Sequence, residues 1–325
     1  MFPSIVADIG GTNARFALVT DEINGQPQIE HIDVLDGSAY ATFEDAIQAY
    51  VEKLGIAMPK AACVAIAGPI DGDDARMTNL DWRFSQAGVK QRFGFDNFAA
   101  INDFAALSIA TSKLAAADLT EIRSGVSDPQ GNKAILGPGT GLGVAGLAYA
   151  RGTWLPIPSE GGHVNVSPAT ELECDVIKAA MAEHGHVSAE IFISGPGLVR
   201  LYRALASVRG ETPEALEPKD VTARALSQSG ESANALCRET LSLFCSFLGN
   251  LSGNLALTYG AQGGVYLAGG IVPRILDFLR ASDFNTQFAA KGVMSHYLED
   301  IPVYLMSHPQ PGLLGSAAWL AALQK

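Results

Sequence analysis

Apolar residues run from Ile5 to Ile9, break at Gly10-Gly11 and resume from Ala14 to Thr20. Two apolar runs flanking a glycine turn predict a pair of strands joined as a hairpin. From Thr42 to Leu54, Phe43, Ile47, Tyr50 and Leu54 fall on one stripe, which is helical spacing. Cys63 to Ala67 reads as a buried strand ending at Gly68-Pro69, and Ser85 as the N-cap of a helix that ends at Gly94. Phe98 to Ile101 is a further strand and Phe104 to Lys113 a further helix.

The opening theme then returns. Ala134 to Leu136 is a strand, Gly137 to Gly143 is glycine-rich, and Val144 to Tyr149 is extended. Helices are expected over Leu198 to Ala206 and Asn234 to Leu257. The strand Val265 to Leu267 runs into Ala268-Gly269-Gly270, with Ile271 to Leu279 as the next helix. Ile301 to Leu305 closes the strands and Leu314 to Leu323 is an apolar helix. Strands alternating with helices predict an α/β fold. A strand–glycine turn–strand theme that occurs twice, about a domain length apart, predicts two related α/β lobes facing each other across a cleft.

Composition narrows the partners. With a formal net charge of −12, the chain is poorly suited to nucleic acid or an anionic membrane surface. A small anion remains compatible, because backbone N–H groups and a bound cation can supply local positive charge. Charged residues are only 17% and apolar residues 48% of the 325, which argues against disorder and for a sizeable core. Cys63, Cys174, Cys237 and Cys245 show no C-x-x-C spacing, so neither a zinc site nor a disulfide framework is expected. The start enters a strand by Ile5 without a basic region and apolar signal core, and no apolar run is judged long enough for a membrane span, so the expected location is the cytoplasm. The sequons at Asn165 and Asn250 are then coincidences.

Five places combine glycine with chemistry-bearing side chains. Asp8-Ile9-Gly10-Gly11-Thr12-Asn13 sets a carboxylate at a strand end beside two glycines that allow phosphate oxygens to approach backbone N–H groups; an ordinary hairpin turn with a solvated Asp explains it equally well. Gly137-Pro138-Gly139-Thr140-Gly141-Leu142-Gly143 has glycine at every second position, more than turn geometry alone needs, which favours a phosphate cradle. Gly141 to Gly146 also fits G-x-G-x-x-G, but that fingerprint should open a helix, and here Arg151-Gly152, Trp154 and two prolines follow. No P-loop pattern is present.

Asn102-Asp103 follows a strand at the head of a helix. Helix capping by Asp103 accounts for it by itself; yet ligands of α/β sheets bind beyond the carboxyl ends of strands, where an Asp is placed to accept a hydroxyl proton. Ser159-Glu160-Gly161-Gly162-His163 mixes a carboxylate, flexible backbone and an imidazole, as a sugar site needs, although a polar loop with a structural His163 is the plainer reading. Leu267-Ala268-Gly269-Gly270-Ile271 is either a strand-to-helix turn or a rest for a nucleoside that no side chain blocks.

Taken in order, the blocks VADIGGTNARFAL, AIAGPI, MTNLDWRFS, INDFAAL, GPGTGLGVA, PSEGGHV, GHVSAE, SGPGLVRLYRA, LAGGIVPR, IPVYL and PGLLGSAAWL span nearly the whole chain. They resemble the hexokinase/actin/Hsp70 ATPase superfamily and, within it, the bacterial ATP-dependent glucokinase family. The resemblance implies two α/β lobes of the actin-like (ribonuclease H-like) type, a small one of residues 1–113 plus 305–325 and a large one of 114–304. It implies ATP-dependent phosphorylation of glucose at its 6-hydroxyl, at the head of glycolysis, with Asp103 as base and Asn102 beside it on the sugar. Glu160, His163 and Glu190 correspond to further glucose contacts; Glu190 has no support from its own surroundings in sequence, where it reads as an exposed helix residue. Asp8, Gly10, Gly11, Thr12 and Asn13, with Gly139 and Thr140, correspond to the two phosphate turns, and Gly269 and Gly270 to the adenosine motif. Mg²⁺ would sit on the phosphates, held by Asp8 through water. A homodimer is implied.

A related kinase and repressor group carries a cysteine cluster for zinc after the Gly-His motif; here VNVSPATELECD holds Cys174 alone, so no structural zinc is expected. The alternatives are a kinase for fructose, mannose or an N-acetylated amino sugar, a polyphosphate-dependent variant, a sugar-sensing repressor, and a filament or chaperone ATPase. A polyphosphate donor would want a basic track that this acidic chain does not show. A repressor would need a DNA-reading helix pair ahead of the turn that begins at Asp8. A filament or chaperone has no need of a sugar site.

Overall fold

β1 (Ser4–Ile9) and β2 (Asn13–Ile23) form the expected hairpin, and β3 (Gln26–Asp36) extends it. Residues 2–11, 13–78, 80–227 and 234–324 are described by the computed structural model. They divide into two compact units: 1–118 with 150–158 and 308–325, and 119–149 with 159–307.

In the first unit β1 runs parallel to β4 (Ala61–Ile66), a wholly buried strand whose continuous apolar run suits a central position. A small sheet of β5 (Ile70–Asp71), β6 (Asp74–Arg76) and β7 (Arg83–Ser85) intervenes before β8 (Asn97–Asn102), which pairs parallel with β4. The main sheet therefore has the order β3-β2-β1-β4-β8. Alternate residues of β1 serve opposite faces. Ile5, Ala7 and Ile9 pack with Phe16 and with Phe43, Ile47 and Tyr50 of the helix Phe43–Leu54. Val6 turns to Leu313 and Ala317 of the helix Pro311–Leu323, and the adjoining part of that face, from β4 and β8, meets the helix Asp103–Ala110 through Ala105 and Ala106.

The second unit repeats this plan. β9 (Leu119–Arg123) is an edge strand. β10 (Lys133–Pro138) and β11 (Leu142–Ala150) form a hairpin, β12 (Thr153–Ser159) straddles the unit boundary, and β13 (Val265–Leu267) and β14 (Val303–Met306) follow. β10 pairs antiparallel with β11 and parallel with β13, which pairs parallel with β14, as β1 does with β2 and β4 and β4 with β8. The twofold theme in the sequence thus corresponds to two sheets of one connectivity.

Several expectations need correction. The helix Ala235–Tyr259 is, at 25 residues and a mean hydropathy of 1.2, long and apolar enough to cross a membrane, contrary to the sequence reading; 83% of its apolar window is buried, and it forms the spine of the second core. The stretch expected as one helix from Ile271 to Leu279 is a 3-10 turn, Val272–Ile275, followed by the helix Leu276–Ala281; Pro273 near its start has no N–H for a longer run. Asp103 does not cap its helix: Asn102 does, its side-chain oxygen accepting from the N–H groups of Phe104 (3.0 Å) and Ala105 (3.2 Å).

Candidate active site

In the first unit the parallel register sets Ile9, Ile66 and Asn102 in one row across β1, β4 and β8. The residues beyond that row are the Gly10 turn and Asp103, so both leave the sheet at the same edge. The turn closes on itself, Gly10 N–H donating to the Asn13 carbonyl at 3.0 Å, with Gly11 between them. Thr12 lies outside the described residues.

Asp8 sits one residue before this edge, with an oxygen 3.5 Å from the Arg15 guanidinium across the hairpin. Burial is the larger influence and pushes its carboxyl above the ordinary value, while Arg15 opposes the shift. Gly312, in the first turn of the helix Pro311–Leu323, faces Asp8 so closely that a Cβ there would lie 2.5 Å from the carboxyl carbon. Because Asn102 takes the capping duty, Asp103 becomes the first residue of its helix, half-buried, with one oxygen accepting from the Phe104 N–H at 2.9 Å.

In the second unit the glycine turn between β10 and β11 is closed by a bond of its own and also held from outside. Gly139 N–H donates to the Gly141 carbonyl (2.8 Å), Gly195 N–H to the Gly139 carbonyl (2.7 Å), and Leu142 N–H to Glu190 Oε2 (2.7 Å). Gly269 has φ +82° and lies against the Pro138 carbonyl, where any side chain would collide; this fixes the Ala268-Gly269-Gly270 bend beside the turn. Between them opens a cavity of about 650 Å³, with Gly139 and Thr140 on one side and Gly270 and Ile271 on another. Lys219, which is ion-paired to Glu217 at 2.8 Å, and Arg274 bring cationic groups to its lining. The size suits a drug-sized or nucleotide ligand.

Glu160 and His163 bracket a 3-10 turn, Gly161–His163, with His163 Nε2 4.0 Å from Glu160 Oε2 and both side chains exposed. This loop is anchored to β11, Ser159 Oγ donating to the Val144 carbonyl at 3.1 Å. Glu190 is not the exposed helix residue its sequence suggests: it lies half-buried in the short helix Ala189–Phe192 with an oxygen on the glycine turn.

The structure thus groups Asp8, Gly10, Gly11, Asn13, Asn102 and Asp103 in the first unit, and Gly139, Thr140, Glu160, His163, Glu190, Gly269 and Gly270 in the second. Sequence reasoning missed Arg15, Gly195, Lys219, Arg274 and Gly312. Arg15, Gly195, Arg274 and Gly312 stood inside quoted blocks and were given no role; Lys219 carried no local signal.

The chain is similar to known proteins over nearly its whole length. The family model described as Glucokinase matches residues 5–323. A glucokinase of Saccharophagus degradans is 66% identical over 323 residues, 99% of either chain. The crystal structure of a glucokinase from an Antarctic psychrotroph superposes with a TM-score of 0.93 at 38% identity, covering 99% of both chains. A ROK family glucokinase of Streptomyces griseus, in complex with glucose and AMPPNP, shares the fold with a TM-score of 0.63 at 20% identity, over 98% of this chain and 99% of that one.

Proposed function

The chain belongs to the glucokinase family, and we propose on that premise that it transfers the terminal phosphoryl group of ATP to the 6-hydroxyl of glucose, with Asp103 as general base. The observation that carries the reading is the shared row of Ile9, Ile66 and Asn102, which brings the Asp8–Asn13 phosphate turn and Asp103 to one edge of a sheet. In the reaction Asp103 accepts the 6-hydroxyl proton as that oxygen attacks the γ-phosphorus. The bond to the β–γ bridging oxygen breaks and ADP leaves. Asn102, Glu160, His163 and Glu190 hold the sugar's remaining hydroxyls.

The second unit's cavity takes the nucleoside, with Gly269 and Gly270 beside the base and ribose and Gly139 and Thr140 presenting backbone to the phosphates; the resemblance assigns Gly10, Gly11, Thr12 and Asn13 to the other phosphate turn. Mg²⁺ fits Asp8. Mg²⁺ retains several waters and takes one or two carboxylates plus phosphate oxygens; Asp8 is a half-buried carboxylate whose charge Arg15 offsets in part, and no cluster of three or more His, Cys, Asp or Glu occurs among the described residues. The ion would neutralise charge on the β- and γ-phosphates. Zinc has no place in this reading.

A cytoplasmic homodimer without nucleic-acid or membrane partners accords with the family resemblance and the net charge of −12; light scattering tests the dimer. A coupled assay of ATP consumption against glucose, fructose, mannose and N-acetylated amino sugars tests the activity. Glucose should be preferred, since a site that hydrogen-bonds each hydroxyl discriminates strongly. Equal turnover of another hexose, or hydrolysis indifferent to sugar, would refute it.

A further inference from the structure

Leu142, the first residue of β11, is gripped from two sides. Its N–H is held by Glu190 Oε2 at 2.7 Å. Its carbonyl is covered by Gly162, in the loop between Glu160 and His163, so closely that any side chain at that position would collide with it. The loop assigned to the sugar and the turn assigned to the donor phosphates therefore meet on one residue.

The segment that carries Glu190 also spans the two. At one end Ala189 N–H donates to the Val164 carbonyl (2.8 Å), Val166 N–H to the Val187 carbonyl (3.1 Å), and Asn165 and Ser188 form an isolated β-bridge. At the other end Gly195 N–H donates to the Gly139 carbonyl (2.7 Å). Ser194, which accepts from Gly197 N–H and donates to the Glu190 carbonyl, fixes the path between them. Residues 187–195 thus form a strut with the sugar loop on one end and the phosphate turn on the other.

We propose that Glu190 couples the acceptor to the donor: one carboxylate oxygen contacts the sugar while the other, on Leu142 N–H, sets the Gly139–Gly141 turn in its phosphate-binding shape, so each substrate tightens binding of the other. The inference rests on the glucokinase reading above. A carboxylate suits the role because its two oxygens accept independently, and a hydrogen bond to an ionised acceptor is stronger than one to a neutral group. The position of Gly141 agrees, since a Cβ there would lie 2.6 Å from Glu190 Oε2 and displace it. Coupling of this kind is reciprocal by linkage.

Calorimetry on the full chain gives the glucose Kd with and without saturating Mg²⁺ and AMPPNP, and the ratio is the coupling factor. In the wild type it is expected at roughly 5–150-fold. Glu190→Gln, which keeps an oxygen for Leu142 N–H, retains most of the factor even as glucose binds more weakly. Gly141→Ala, which keeps the carboxylate but pushes it aside, brings the factor to about 1. A second readout does not depend on glucose affinity: adding Mg²⁺ and AMPPNP alone slows amide exchange over 160–166 in the wild type and Glu190→Gln but not in Glu190→Ala. A wild-type factor near unity, an undiminished factor in Gly141→Ala, or slowed exchange in Glu190→Ala overturns the coupling while leaving glucose phosphorylation standing. Failure to turn over any hexose removes the underlying reading instead.

Discussion

The two glycine turns occupy equivalent places in their sheets and are stabilised in different ways. The turn after β1 closes by its own Gly10–Asn13 hydrogen bond, and its neighbouring strand supplies a charged pair, Asp8 with Arg15. The turn after β10 also closes on itself, through Gly139 and Gly141, but has no carboxylate on its own strand; it is braced in addition by Gly195, by Glu190 and by the close approach of Gly269. Connectivity alone therefore does not dictate the job. The first unit places carboxylates at the sheet edge, and the second moulds backbone around a cavity.

The sharpest way to break this comparison is at Asp103. Asp103→Ala should lower kcat by about 10²–10⁴-fold, the usual worth of a general base, with circular dichroism unchanged; near-normal turnover would remove chemistry from the first unit. Asp8→Asn should weaken use of Mg-ATP by roughly 10–100-fold, judged from residues that support bound metals, with a smaller effect on glucose. The same variant should raise Tm at pH 7. The folded carboxyl sits above the ordinary 3.8 because burial disfavours its charge, so the charge costs stability as pH rises through the folded value. Below 3.8 the carboxyl is protonated in both states and the gain vanishes.

Gly269→Ala probes the braced turn. Adding Cβ at φ +82° against the Pro138 carbonyl should cost about 1–3 kcal/mol by denaturant titration and raise the KM for ATP, leaving glucose affinity nearly unchanged. The smallest effect concerns Lys291, a half-buried cation of the second unit. Lys291 donates to both oxygens of Asn250, at 3.1 and 2.6 Å, and burial lowers its value from 10.5 to about 8. The folded state releases this proton first, so stability should rise between pH 8 and 10.5 in the wild type and rise less in Lys291→Met.

Elements with strong local punctuation were legible in the sequence. Ser85 caps its helix through Gly88 N–H, and Gly94 ends it in the left-handed conformation, as their residue types predict. β3 was missed because it is a half-exposed edge strand whose pairing with β2 shifts register twice, which blurs the period-two pattern. The helix Glu171–His184 was not singled out, although Thr170 and Glu173, its capping box, stand at its start. At the site, Asp103 was ambiguous until Asn102 proved to be the cap. Glu190 was opaque because its partner Leu142 is 48 residues away, beyond any local signal.

The last helix completes the first strand: Ser316 Oγ donates to the Ala7 carbonyl at 2.9 Å, and Gly312 backs Asp8. During synthesis the whole intervening chain must emerge from the ribosome before that backing arrives. A growing chain therefore carries Asp8 without its backing until the helix Pro311–Leu323 docks.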